Sequence, residues 1–184
     1  MTARQAAALA SYSRLLRQPV FRGCSPVLAG TFPLGLDVPT SDLDVICQAN
    51  DPARFADRLS AGFASYPGFR LRLASIGGLP TVVAGFWYRG FPVEVFAQAR
   101  PPGRQRAARH LRVEERMLRL GGDELRECVR ALKLAGFKTE PAFARCLGLE
   151  GDPYLALLEL ERFTAARIGD LLQRARPFVN HPAG

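Results

Sequence analysis

The chain has 184 residues, 48% of them apolar, and a formal net charge of +8. That length suits one domain, or a compact core with a helical appendage, and a mean hydropathy of −0.01 fits an ordinary water-facing globule. No apolar run approaches the roughly 20 residues that span a bilayer, and Gln5, Ser11 and Ser13 interrupt any signal-like core near the N-terminus, so the expectation is a cytoplasmic protein with no membrane contact.

A first helix is expected from about Ala3 to Arg17, with Leu9, Tyr12, Leu15 and Leu16 on one face and Pro19 as its stop. Strand, turn and strand follow from about Pro26 to Cys47. Asp51-Pro52 reads as an N-cap and N1 proline, opening a helix in which Phe55, Leu59 and Phe63 recur, ended by Pro67-Gly68. Phe69 to Leu73 alternates apolar and basic residues, as a half-buried strand does. Thr81 to Tyr88 is a further strand, turned by Arg89-Gly90 into Phe91 to Phe96 as a hairpin. Trp87 and the nearby phenylalanines read as sheet packing rather than as a base-stacking platform. After the Arg100-Pro101-Pro102-Gly103 connector the pattern is helical. One helix ends at Gly121-Gly122, a second is capped by Asp123 and broken at Gly136, and two more begin at Thr139 and Asp152-Pro153, with a loose tail after Pro177. The expected fold is α/β (α+β): a small mixed sheet flanked by helices over residues 1–99, followed by a helical bundle over 100–184.

The segment Gly30-Thr31-Phe32-Pro33-Leu34-Gly35-Leu36-Asp37-Val38-Pro39-Thr40-Ser41-Asp42-Leu43-Asp44 carries the chemistry. Successive strand side chains alternate between faces, so Asp42 and Asp44 share one face. Two adjacent carboxylates repel without a cation between them, and hard divalent ions prefer such oxygen ligands. Glycine at a strand end lets backbone approach a ligand, and turn N–H groups with the Thr31 hydroxyl suit phosphate oxygens. Glu94, isolated between Val93 and Val95, projects opposite to its apolar neighbours and is the candidate third carboxylate. Asp37, in the turn, reads as a solvated loop acid, and Ser41 as a turn brace.

The pattern Gly30-Thr31, Gly35, Ser41-Asp42-x-Asp44 and a later isolated acid resembles the nucleotidyltransferase superfamily of the DNA polymerase beta type, in its minimal and antibiotic-modifying forms. Thr31 stands where serine is usual and keeps the hydroxyl. The whole chain is also similar to an uncharacterised bacterial family, a domain of unknown function, through Arg104-Gln105, Arg109-His110, Leu134 to Glu140, Pro141-Ala142-Phe143-Ala144 and Gly151-Asp152-Pro153-Tyr154. The resemblance implies transfer of a nucleoside monophosphate from a nucleoside triphosphate to an acceptor hydroxyl, on a small molecule or a protein. Asp42, Asp44 and Glu94 would be the catalytic residues and hold Mg²⁺, or Mn²⁺ in its place. Gly30, Thr31 and Ser41 would bind the nucleotide, with Arg104, Arg109 and His110 returning toward the cleft. A noncatalytic nucleotide- or partner-binding protein of the same fold and an antitoxin-like partner modifier stay open as alternatives.

The remaining signals are bland. Basic residues are nearly all arginine, Lys133 and Lys138 being the exceptions, and they are mixed with acids, as in Arg112-Val113-Glu114-Glu115-Arg116. Such dispersal suits a polyphosphate and argues against nucleic acid as a partner. Lys133 and Lys138 read as an exposed bundle face and His181 as surface. Cys24, Cys47, Cys128 and Cys146 show no C-x-x-C spacing and are expected as buried free thiols.

Overall fold

Thr2 begins the first helix, α1 (Ala3–Leu15), with a capping box: its side chain accepts from the Gln5 backbone while Gln5 reaches back. The computed structural model describes the backbone of residues 1–180 and the side chains of residues 1–175. It divides into two compact units, residues 1–35 with 40–108, and residues 36–39 with 109 onward.

The first unit is built on a five-stranded mixed sheet in the order β1-β2-β5-β4-β3. Its strands are β1 (Val27–Ala29), β2 (Leu43–Gln48), β3 (Arg70–Ile76), β4 (Leu79–Tyr88) and β5 (Phe91–Gln98). β2 and β5 run parallel, and the other neighbouring pairs are antiparallel. Between β1 and β2 lies a single helical turn, α2 (Thr31–Leu34), and between β2 and β3 lies α3 (Pro52–Phe63). Asp51 caps α3 by accepting from Arg54 N at 3.0 Å, with Pro52 at the first position as expected. Two tight turns join the last three strands: Gly77-Gly78, and Arg89-Gly90 with both residues at positive φ.

Alternation along the strands sorts the side chains into two faces. Leu43, Val45 and Cys47 of β2, Val93, Val95 and Ala97 of β5, and Val82, Ala84, Phe86 and Tyr88 of β4 share one core with Leu15 of α1 and Phe55, Leu59 and Phe63 of α3. Phe63 stacks on Phe86 at 4.3 Å between ring centroids, and burying each such side chain contributes about 1.5–3 kcal/mol. The opposite face carries a smaller cluster, Ala29, Ile46 and Phe96 with Ala107 and Ala108. The strand members of that second cluster come from β1, β2 and β5. Gln105, fully buried, donates to Cys47 O at 2.7 Å and Arg100 O at 2.9 Å and so pins the connector after β5 against β2.

The second unit is helical. α4 (Arg106–Leu134) runs through a kink at Gly122, whose φ of 63° and ψ of −153° break the helix where Gly121-Gly122 predicts an end. α5 (Thr139–Leu147) and α6 (Pro153–Glu159) start as expected. α7 (Ala165–Asn180) is a further helix beyond those expected, with Ile168, Leu171, Leu172 and Ala175 at helical spacing; Thr164 caps it by accepting from Arg167 N at 3.2 Å. It carries Pro177 inside a helix, against the expectation of a loose tail, and His181 lies outside the described residues.

The cysteines and Asp37 also depart from expectation. Cys128 of α4 and Cys146 of α5 form a disulfide with their Cα atoms 6.2 Å apart, so only Cys24 and Cys47 are the buried free thiols foreseen for all four. The spacing hides the pair because two helices must fold back on one another before the sulfurs meet. Asp37, foreseen as a solvated acid, is only 7% exposed, since Leu36 and Val38 on either side draw its backbone inward.

Opening the disulfide, which joins residues 18 positions apart, should cost about 3 kcal/mol if the cross-link acts by restricting the unfolded chain. Denaturant melts with and without dithiothreitol test this: the wild type should lose stability on reduction and Cys128→Ser should not respond. Equal midpoints for oxidised and reduced wild type would refute it. Within the same unit Arg109 donates to Glu161 from Nε at 3.0 Å and from a terminal nitrogen at 2.6 Å. The Arg109 hydrogen bond holds the Glu161 carboxyl below its usual range, outweighing desolvation. A depressed folded value means the pair's contribution is complete above about pH 4.5 and is lost as pH falls through the lower folded value. Both groups are partly exposed, so the amount is about 1 kcal/mol or less. Stability measured against pH for wild type and Glu161→Gln should converge at acid pH and separate above it.

Candidate active site

β1 delivers the chain to Gly30, whose φ of 68° and ψ of −148° lie in a region that only glycine occupies without strain. A side chain is excluded there for a second reason: a Cβ on Gly30 would overlap the Asp44 carboxylate at Oδ2. Asp44 is the register partner of Ala29, the residue before Gly30. The carboxylate therefore lies against the backbone of the Gly-Thr turn, where one more carbon would displace it. Thr31, buried, opens α2 directly after this glycine.

The parallel pairing of β2 with β5 sets Asp44 beside Glu94, register partner to register partner. Both are half-buried, and both project from the face opposite Val45 and Val95. Asp42 precedes β2 by one residue and is half-buried; Ser41 before it is buried. The lead-in is fixed from α1. Arg4 donates to Ser41 O at 3.2 Å, and its guanidinium lies 5.8 Å from the Phe32 ring centre and 5.1 Å from that of Phe91. Cation–π contact and hydrogen bond together tie the first helix to the strand that carries Asp42 and Asp44. Nothing in the sequence marks Arg4 for this, since the contact joins residues 37 positions apart.

Thus Gly30, Asp44 and Glu94 come together, with Thr31, Ser41 and Asp42 in the adjoining backbone. Arg104 is exposed at the end of a short 3-10 turn in the same unit. Arg109 and His110 belong to the helical unit, where they have partners of their own. Arg109 is taken by Glu161, and His110 Nδ1 lies 3.5 Å from Glu140 Oε1. Lys133, foreseen as exposed, is buried and donates to Thr139 Oγ1 at 3.0 Å; Lys138 is exposed as expected.

The donor sets differ in kind. Asp42, Asp44 and Glu94 offer only carboxylate oxygen, from strands whose register makes two of them neighbours, which fits a hard ion such as Mg²⁺. A second group, His110, Glu114 and Glu140, places one ligand atom from each residue within 4.8 Å of the others. His110 and Glu114 stand one turn apart on α4, a spacing visible in the sequence once that helix is assigned. Its mixed nitrogen and oxygen donors, with Glu114 only 3% exposed, suit a buried internal network better than a Mg²⁺ site open to a nucleotide. An open cleft lined by Gly23, Gln48, Asp51 and Arg54 lies at the far end of β2 from Asp44.

The fold has counterparts among solved structures. The Cid1 poly(U) polymerase with bound MgGTP is 14% identical, superimposes with a TM-score of 0.59, and is matched over 97% of this chain and 69% of its own. A cytoplasmic RNA terminal U-transferase is 14% identical with a TM-score of 0.58, over 97% and 67%. The GLD-2/RNP-8 complex is 13% identical with a TM-score of 0.57, over 100% and 69%. At such identities the likeness is one of fold: a mixed α+β architecture matching nucleotidyltransferase enzymes. The expectation against nucleic acid finds no support among these neighbours. No helix among the described residues is long and apolar enough to cross a membrane, and no curated protein matches the chain. The family model that does match covers residues 14–160 and is described as Domain of unknown function (DUF4269), the family to which this chain belongs.

Proposed function

We propose that this chain transfers a nucleoside monophosphate from a nucleoside triphosphate to an acceptor hydroxyl. The observation that carries this reading is the Gly30–Asp44–Glu94 arrangement: a glycine that can bear no side chain, a carboxylate lying against it, and a second carboxylate at the register position across a parallel strand pair. The nucleotidyltransferase fold of the neighbours supports it.

On this reading Gly30 and Thr31 receive the β- and γ-phosphates, through turn N–H groups and the Thr31 hydroxyl. Ser41, held from α1 by Arg4, keeps the lead-in to Asp42 in place. Asp42, Asp44 and Glu94 would hold Mg²⁺, which when bound supplies charge neutralisation at the phosphates. Glu94 stands on the acceptor side and takes the proton from the attacking hydroxyl. That oxygen bonds to the α-phosphorus, the bond from the α-phosphorus to the bridging oxygen breaks, and pyrophosphate leaves with the electron pair. Arg104, exposed in the same unit, is the remaining candidate for a phosphate contact.

Thermal stability with each nucleoside triphosphate, with and without Mg²⁺, tests the reading. One nucleotide should raise wild-type stability by about 2.7 kcal/mol at 100 times its dissociation constant, only with Mg²⁺, and Asp44→Asn should abolish the shift. A folded protein that responds to no nucleotide would refute it. Gly30→Ala provides a second check, because the added Cβ must displace Asp44. It should lose about 1–3 kcal/mol of stability from the forced backbone conformation and lose the nucleotide response with it; an unchanged response would show that Asp44 is not positioned through this glycine.

A further inference from the structure

The register of the sheet can be followed past Glu94. Asp44 pairs with Glu94, Glu94 with Gly85 of β4, and Gly85 with Arg70 of β3. Register partners share a face, so Ala29, Asp44, Glu94, Gly85 and Arg70 form one row across all five strands. Gly85 has no side chain, and a Cβ there would meet the Arg70 guanidinium, at 2.5 Å from Cζ and 2.7 Å from the nearer terminal nitrogen. Arg70 therefore lies back over Gly85, on the side of its strand that leads to Glu94. Charged residues on edge strands usually discourage edge pairing by standing in solvent; this one is folded inward over the sheet.

Trp87, two residues beyond Gly85, occupies the same face, since Phe86 and Tyr88 enter the core on the other. It is 51% exposed, which departs from the sheet packing expected of it. Its pyrrole edge rests over Gly68: a Cβ on that glycine would lie 3.1 Å from Cδ1 and 3.5 Å from Nε1. Arg72, also exposed, follows Arg70 on the same face about 6–7 Å further along β3. The face beside the third carboxylate thus presents an open indole and two guanidinium groups in line, with glycines beneath the indole edge and beneath Arg70.

Resting on the function proposed above, we infer that Trp87, Arg70 and Arg72 form the acceptor subsite, and that the acceptor is the end of a single-stranded nucleic acid. An indole face accepts a base whatever its sequence. A guanidinium fork suits a phosphate oxygen pair, and two in line suit successive phosphates rather than one. A polycationic acceptor would be repelled by the same two groups, and a neutral one would leave both unanswered. Glu94, one strand from Gly85, then faces the terminal hydroxyl.

The test separates binding from transfer. The wild-type chain, without nucleotide, is titrated into a short unstructured fluorescent RNA and its anisotropy followed over a range of salt. Extension of the same RNA is then measured with Mg²⁺ and the triphosphate that stabilises the protein. Trp87→Ala should weaken RNA binding and raise the KM for RNA roughly tenfold or more, the range expected for one stacked base, with kcat little changed. Trp87→Tyr should restore most of this. Arg70→Ala should weaken binding and flatten its salt dependence, while both alanine variants keep the Mg²⁺-nucleotide shift. RNA binding that is absent in the wild type, or unaltered in both variants, overturns the inference and leaves the nucleotide reading intact. Loss of that reading shows independently, as a wild type that no nucleotide stabilises.

Discussion

The parallel pairing of β2 with β5 is the constraint on which the site depends. It sets two carboxylates on neighbouring strands at the same level, an arrangement that like-charge repulsion opposes. Apolar burial on the other face outweighs that repulsion. Leu43, Val45 and Cys47 of β2 lie beside Val93, Val95 and Ala97 of β5, all buried in one core. A slip of β2 by one residue would turn its three core side chains outward and bring Asp44 into the core. The register is therefore fixed by hydrophobic burial. Position 30 follows from the same geometry, because the Asp44 carboxylate set by this register lies where a side chain on residue 30 would be.

The part of this that is legible in the sequence has short range. Alternation through Phe91 to Phe96 marks Glu94 as the residue opposed to a buried face, and Asp42-Leu43-Asp44 states the shared face of two acids directly. The Gly-Thr pair and the caps at Thr2, Asp51 and Asp152 are equally local. What the sequence conceals needs residues far apart to meet. Arg109 finds Glu161 across 52 positions, and Arg4 finds Ser41 across 37. Cys128 finds Cys146 only because α5 folds back beside α4. Trp87 misleads for another reason. Its neighbours Phe86 and Tyr88 are core residues, and a tryptophan between two of them looks like a third until alternation is applied strictly.

The positive charge is likewise uninformative in bulk and informative by location. Several arginines serve the fold. Arg58 donates to the backbone carbonyls of Pro19, Val20 and Arg22, Arg109 binds Glu161, and Arg167 lies 3.8 Å from the Phe163 ring centre. A net charge of +8 summed over such groups says little about partners. Arg70 and Arg72 differ because alternation on β3 sends both to the face of the carboxylates, at an edge strand that no further strand covers.

Side-chain size varies across the row in a way that bears on how the charged groups lie. From β1 to β3 the residues are alanine, aspartate, glutamate, glycine and arginine. Small residues flank the two acids across the row, and the glycine lets the arginine lie down instead of standing away. Glutamate on β5 fits this geometry. Gly85, its register partner on β4, adds no side chain beside it, and the Arg70 guanidinium lies over that position. A side chain at 85 would displace the Arg70 guanidinium, so one missing side chain maintains the placement of that group over the sheet.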